Sequence, residues 1–303
     1  MLTRRRFIAI SAALVPSALV PSMALAKAPD IHTQTGIALG ARVTLRIQHP
    51  DAPRLAALAM DEIWRLEGIF SLYKPDSSLS RLNRDGALPA PPFELLECLS
   101  LAGSVHHASG GRFGPTVQPL WSAQAMALER GTPLTDAERA SLLARIGWHN
   151  VTLGPDAITL QPGMALTLNG IAQGYIADRV AALLARRGLT RALIDTGEML
   201  ALPGGSWPVR LPSGDTLALQ DRALATSSPV GMTFGGDGVT SHILNPATGR
   251  PALPHWQSVT VSAASAALAD AVSTAACLLD TLAEAQALCA ELPDTSLISA
   301  IAS

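Results

Sequence analysis

Apolar and polar positions follow two rhythms along this chain. Residues Ala41 to Gln48, "ARVTLRIQ", alternate every second position and predict a strand. The next stretch, "APRLAALAMDEIWRLEGIFSLY", puts Leu55, Leu58, Ile63, Leu66 and Phe70 on one side and predicts an amphipathic helix. Phe70 to Asn83, "FSLYKPDSSLSRLN", then reads as a helix end, a Pro-Asp turn and a second short helical turn, with Ser77 or Ser78 as its cap and Arg81 in solvent. A further helix is expected through "PFELLECLSLAGSVHHAS", stopped by Gly110 and Gly111. Strands are predicted at "NVTLG", "AITLQ", "MALTLN", "RALIDT", "HILN" and "SVTVSA", and helices at "IADRVAALLARRG" and "AALADAVSTAACLLDTLAEAQALCAEL". Strand clusters between helices of this length argue for an α+β architecture.

The first 26 residues, "MLTRRRFIAISAALVPSALVPSMALA", break that pattern. Three arginines, a mildly apolar run from Phe7 to Val20 and the small-residue site Ala24-Leu25-Ala26 make a cleavable export signal. Thr3-Arg4-Arg5 followed by Phe7 and Ile8 looks like a twin-arginine signal, which implies a periplasmic protein. An ordinary secretory signal and an uncleaved anchor are the alternatives, the latter disfavoured because the apolar run is short and broken by proline. Residues 27–303 are read as one globular unit, since no long linker, repeat or charge block divides them. Without the leader's three arginines, 19 basic residues face 24 acidic ones, a net charge of −5, and no basic stripe is present for nucleic acid. Cys98, Cys277 and Cys289 sit in apolar stretches and read as buried thiols, with a Cys277–Cys289 disulfide as the alternative.

Three polar segments carry candidate chemistry. "GGRFGPTVQPLW", Gly110 to Trp121, is a Gly/Pro loop of the kind that lines sites. "LTLNGIAQGYIADRVAALLA", Leu166 to Ala185, reads as strand, Asn-Gly corner and helix, with Gly174 costing about 1 kcal/mol relative to alanine inside the helix. Either a ligand approaches this bare backbone, with the first-turn amides aimed at it, or the helix packs closely on its own core. In "SAALADAVSTAACLL" an apolar helix bears Asp270 and Thr274, four apart and so on one face. A carboxylate and a hydroxyl suit Mg²⁺ or Ca²⁺, or else Asp270 complements the helix start and Thr274 bonds to its own backbone.

Taken in order, "SLYKPDSSLSRLNR", "GGRFGPTVQPLW", "LTLNGIAQGYIADR", "ALIDTGEML", "ALATSS", "SHILNPATGRP" and "SVTVSAASAALADAVSTA" resemble the ApbE family of FAD:protein FMN transferases. The resemblance spans about Phe70 to Leu279 and implies a single α+β domain with mixed or antiparallel sheets and packed helices. It implies a Mg²⁺-dependent enzyme, Ca²⁺ being the other candidate, that takes FAD as substrate, transfers its FMN half to a Thr or Ser of a partner protein and releases AMP. By the same resemblance the metal is held by the carbonyl of Gly170 and the side chains of Asp270 and Thr274. FAD lies against Leu39, near the family's Met-Gly pair, and against Tyr73, Arg112, Phe113, Gly114, Thr167, Gln173 and Leu244. His242 matches a histidine of the family, and imidazole suits the removal of a proton from an acceptor hydroxyl near neutral pH.

The chain departs from the family in having Gly114, Thr167 and Asn245 where aspartate is usual, and Thr196-Gly197 for a Gly-Gly pair before Glu198. Fewer carboxylates weaken cation binding. Two further readings therefore accompany the first: a Mg²⁺-dependent FAD pyrophosphatase and a non-catalytic flavin-binding or maturation factor. The wording "FSLY", "NGIAQG", "DTGE" and "TVQPLW" looks like the branch that serves nitrous oxide reduction by flavinylating a membrane-bound regulator, so a membrane-associated acceptor is expected.

Overall fold

The computed structural model describes residues 30–231, 233–234 and 240–303, and the expected leader lies outside them. Strands β1 (Ile31–Ala38) and β2 (Ala41–Gln48) lead into helices α1 (Ala52–Phe70) and α2 (Ser78–Asp85). Strand β3 (Ala87–Pro89), helices α3 (Phe93–Ala108), α4 (Gln118–Glu129) and α5 (Asp136–Leu143), and strands β4 (Val151–Leu153) and β5 (Ala157–Leu160) follow. After α6 (Ala172–Arg186) come β6 (Ala192–Asp195), β7 (Met199–Ala201), β8 (Trp207–Arg210), β9 (Thr216–Leu219), β10 (Arg222–Ser227) and β11 (Trp256–Ala263). Helices α7 (Ala266–Ala276) and α8 (Leu282–Ala290) and strand β12 (Ser296–Ala302) close the chain.

Seven strands form one antiparallel sheet in the order β1-β2-β6-β7-β10-β11-β12. Because side chains alternate between the two faces, the central strands β6, β7 and β10 feed two cores. Ala192 and Ile194 of β6, and Ala223 and Ala225 of β10, face the main core with α1, α3, α6 and α7. Leu193 and Leu224 point the other way, where the β8–β9 hairpin covers them with Trp207, Val209 and Leu219. A small sheet, β3-β5-β4, stands apart. The fold is therefore α+β with purely antiparallel pairing. Among the described residues no helix is long and apolar enough to cross a membrane.

Local chemistry sets several boundaries as the sequence predicts. The Ser77 hydroxyl caps α2 by accepting from the Ser80 N–H, and Arg81 is exposed. Helix α3 stops before Gly110 and Gly111, which adopt φ of 57° and 82°, the left-handed region that glycine enters at little cost. All three cysteines are buried and free.

Three predicted elements differ. "MALTLN" is not a strand: the Asn83 side chain bonds both backbone groups of Leu166, at 2.7 and 2.8 Å, and Thr167 N–H donates to the Pro115 carbonyl at 2.8 Å. A side-chain amide and a loop carbonyl thus replace the neighbouring strand. "HILN" makes only the isolated bridge Leu244–Pro251, because the Asn245 carboxamide accepts from Ala247 and Thr248 and turns the chain back on itself. The long C-terminal helix is two helices, broken where Thr281 and Glu284 form a capping box that starts α8.

Candidate functional site

Helices α6 and α7 cross at closest approach along one line of small and acidic residues. A β-carbon added to Gly174 would lie 2.2 Å from the carbonyl oxygen of Ala266 and 2.6 Å from the amide nitrogen of Ala267. No side chain fits there, so the second glycine is explained by packing. One turn on, Asp178 accepts from the amides of Ala266 and Ala267 at 2.7 and 2.9 Å and from the Ser265 hydroxyl at 2.7 Å, clamping the start of α7. One turn back, a β-carbon at Gly170 would lie 3.0 Å from the Thr274 hydroxyl. Positions 170, 174 and 178 thus run antiparallel to 274, 270 and 266, and the helix crossing sets the bare Gly170 backbone beside Thr274.

Asp270 sits in the interior of α7, whose cap is Ser265, so it does not complement the helix start. Its Oδ2 faces the Gly174 N–H at 3.4 Å, a first-turn amide of α6. Burial pushes its pKa up to about 8, against that one amide, and the charge of Asp178 adds to the rise. The Thr274 hydroxyl lies 3.2 Å from that of Ser227, which also meets Ser273 at 2.7 Å.

Above this corner opens a cavity of about 370 Å³. Its walls include Arg112, Phe113 and Gly114; Thr167, Gly170 and Gln173; His242 and Leu244; and Asp270 and Thr274. These ten predicted residues come from four separate stretches of chain. Leu39 and Tyr73 do not line it. Leu39, at φ 50°, is held by its N–H to Glu67 at 2.8 Å, while the exposed Tyr73 ring flanks Gly40.

The loop that carries Arg112 is braced from α3. His106 Nδ1 meets the Phe113 carbonyl at 2.7 Å, and the Phe113 N–H donates to the Ser109 hydroxyl at 2.9 Å. Arg112 Nε reaches the Leu278 carbonyl at 3.4 Å, turning the guanidinium along the cavity rim. Gly114 is bare because a β-carbon there would come 2.4 Å from Cγ of Pro246, so this wall and the loop bearing His242 are in direct contact. Half-buried His242 follows Ser241, whose hydroxyl accepts from the Ile243 N–H.

Glu198, Ser227 and Asp178 are the residues that sequence reasoning did not assign. Glu198 lies on the cavity wall, buried, with Oε2 bonded to nothing. Burial and then the charge of Asp270 push its pKa well up, opposed by a bond from the Thr226 amide. An acid three residues beyond the strand "ALID", in the quoted "DTGE", was the available signal.

Among the described residues no three His, Cys, Asp or Glu side chains group into a metal site. The donor set is instead one of oxygens: Asp270, the Thr274 hydroxyl and the Gly170 backbone beside it. Such a set suits a hard cation that shares its coordination with substrate phosphates and water, and the residues present fit it.

Buried acids without a neighbouring cation raise the cost of the folded state, so a cavity floored by them marks a ligand-handling α+β protein rather than a structural module. Comparison with known proteins agrees in sequence and in fold. The ApbE family model matches residues 39–298, and the chain belongs to the ApbE family. It is 30% identical over 275 residues to the FAD:protein FMN transferase of Treponema pallidum, covering 78% of this chain and 75% of that one. The enzyme of the same name from Vibrio cholerae is 31% identical over 227 residues, 67% of each chain. The crystal structure of the flavinyl transferase ApbE of Pseudomonas stutzeri, in its apo form, superposes with a TM-score of 0.75 at 25% identity over 86% of this chain and 90% of that one.

Proposed function

We propose that this chain is a Mg²⁺-dependent FAD:protein FMN transferase. The observation that carries the reading is the convergence of Asp270, Thr274, Gly170, Arg112 and His242 on one cavity, in a chain of the ApbE family. In the reaction, the hydroxyl oxygen of an acceptor Thr or Ser attacks the phosphorus of the FMN half. The bond to the bridging oxygen breaks, AMP leaves with that oxygen, and FMN remains on the protein as a phosphoester. His242 takes the hydroxyl proton, a task that suits imidazole near neutral pH. Arg112 offers its guanidinium to phosphate oxygens, while Phe113 and Leu244 give apolar surface to the flavin. Asp270, Thr274 and the Gly170 carbonyl would hold the cation, with Ser227 fixing the Thr274 hydroxyl. When bound, the cation neutralises charge on the pyrophosphate and on the leaving AMP.

The leader supports a periplasmic site of action. Its twin arginines and Ala24-Leu25-Ala26 site give export by the twin-arginine route and cleavage after Ala26, with residues 27–303 as the working domain. The motif wording supports a membrane-associated acceptor in nitrous oxide reduction. Replacing Arg4 and Arg5 by lysine leaves unprocessed protein in the cytoplasm; processed periplasmic protein in that variant would refute this route.

The test of the activity incubates the mature protein with FAD, Mg²⁺ and a membrane-anchored acceptor domain, and follows in-gel flavin fluorescence and AMP together. Fluorescent acceptor and AMP in equal amounts are expected. AMP and free FMN without labelled acceptor would identify the pyrophosphatase instead, and neither product, with FAD retained, a binding or maturation factor.

A further inference from the structure

We propose that Glu198 is a further carboxylate ligand of the cation, opposite Asp270, so that this chain holds the metal with two acids rather than one. The proposal rests on the cation reading above and extends it to a residue from a different part of the fold. Glu198 is the last residue of the turn between β6 and β7, whereas Asp270 belongs to α7, and both line the same cavity. Its side chain is more than nine-tenths buried, and Oε2 has neither solvent nor a hydrogen-bond partner. The other oxygen accepts from the Thr226 amide, which fixes the carboxyl in place. Ser227, the next residue, bonds to Thr274, so one strand end carries both the Glu198 anchor and the Thr274 anchor.

No salt bridge offsets this arrangement: the ion pairs of the described residues involve neither Glu198 nor Asp270. Two buried acids on one cavity wall repel, and a buried oxygen left unpaired costs free energy. A divalent cation between them removes both penalties at once. A structural role for Glu198 would need a partner for Oε2; a flavin hydroxyl is the competing occupant, and it makes a different prediction.

The test titrates Mg²⁺ into metal-free protein by isothermal calorimetry, with and without FAD, for the parent, Glu198→Gln, Glu198→Asp and Asp270→Asn. Circular dichroism checks the fold of each. Glu198→Gln keeps the shape and loses the charge, and its Mg²⁺ Kd is expected to rise by ~10-fold or more, the scale reached even by outer partners of a bound metal. Glu198→Asp keeps the charge on a shorter arm and is expected to weaken Mg²⁺ less; it carries the test if the glutamine variant does not fold. Parental Mg²⁺ affinity in the folded Glu198 variants, with binding lost in Asp270→Asn, would overturn the proposal and leave the cation reading standing. Weakened FAD binding in chelator with unchanged Mg²⁺ affinity would assign Glu198 to the flavin and overturn it too. A parent that binds no Mg²⁺ even with FAD would overturn the cation reading itself, and the proposal with it.

Discussion

The helical wall of the cavity, α6 against α7, and the loop wall, residues 241–252, hold their polar groups by different means. On the helical wall, glycine contact at 174 and the Asp178 clamp fix the two axes, and Asp270 is buried between them. The loop wall is held by isolated bridges, by the Asn245 turn and by Pro246 against Gly114. A buried acid needs a rigid surround, because its charge is tolerated only where the cation will sit. A histidine that exchanges protons with an incoming hydroxyl needs access, which a half-buried loop position gives. The difference separates charge stabilisation from proton transfer, and each can be removed alone.

The largest expected effect is on the helical wall. Asp270→Asn is expected to take flavin transfer to background, beyond the ~10²–10³-fold typical of one lost electrostatic contact. The same variant is expected to stabilise the metal-free protein. The folded pKa of Asp270, about 8, lies above the ordinary 3.8, so the folded state keeps a proton that the unfolded chain releases. Its contribution is fully present below pH ~4 and is lost as pH rises through ~8, at up to ~1.4 kcal/mol per pH unit. Urea midpoints of metal-free parent and Asp270→Asn at pH 5 and pH 8 measure this, and a gap that does not widen toward pH 8 would contradict it.

On the loop wall, His242→Gln keeps hydrogen-bonding capacity without titrating near neutrality. Transfer at saturating FAD is expected to fall by ~10²–10⁴-fold with FAD affinity within a few-fold of the parent. A large loss of FAD affinity would make His242 a binding residue and erase the division between the walls.

Two smaller changes probe the helix crossing without touching a proposed ligand. Gly174→Ala forces a methyl against the Ala266 carbonyl and is expected to cost ~1–3 kcal/mol in unfolding free energy and to lower transfer with it. Asp178→Ala strips the clamp from the start of α7, at ~0.5–2 kcal/mol, the range of a lost helix cap. Chemical denaturation reads both; an unchanged Gly174→Ala midpoint would show that the contact can relax.

The α+β class, the edges of β2, α1 and α3, and the Ser77 cap were legible because period, cap and glycine stop are local properties. The capping box Thr281–Glu284 is equally local but is masked by the apolar run around it. The "MALTLN" and "HILN" segments have strand composition, yet Asn83 and Asn245 satisfy their backbones from distant or turned positions, which periodicity does not encode. At the site, "NGIAQG" signalled that bare backbone is needed but not that Gly174 serves packing and Gly170 abuts Thr274. That distinction exists only once α6 crosses α7.

By itself the sequence determined the residue types, their order and the family, since these rest on chemistry written along the chain. Only the tertiary structure decided which oxygens share a cavity, that Asp270 is buried mid-helix, and that Glu198 stands on the same wall with an unbonded oxygen. The reason is electrostatic as well as geometric: a carboxylate's pKa and its need for a cation depend on what surrounds it, and those surroundings come from strands and helices far apart in sequence.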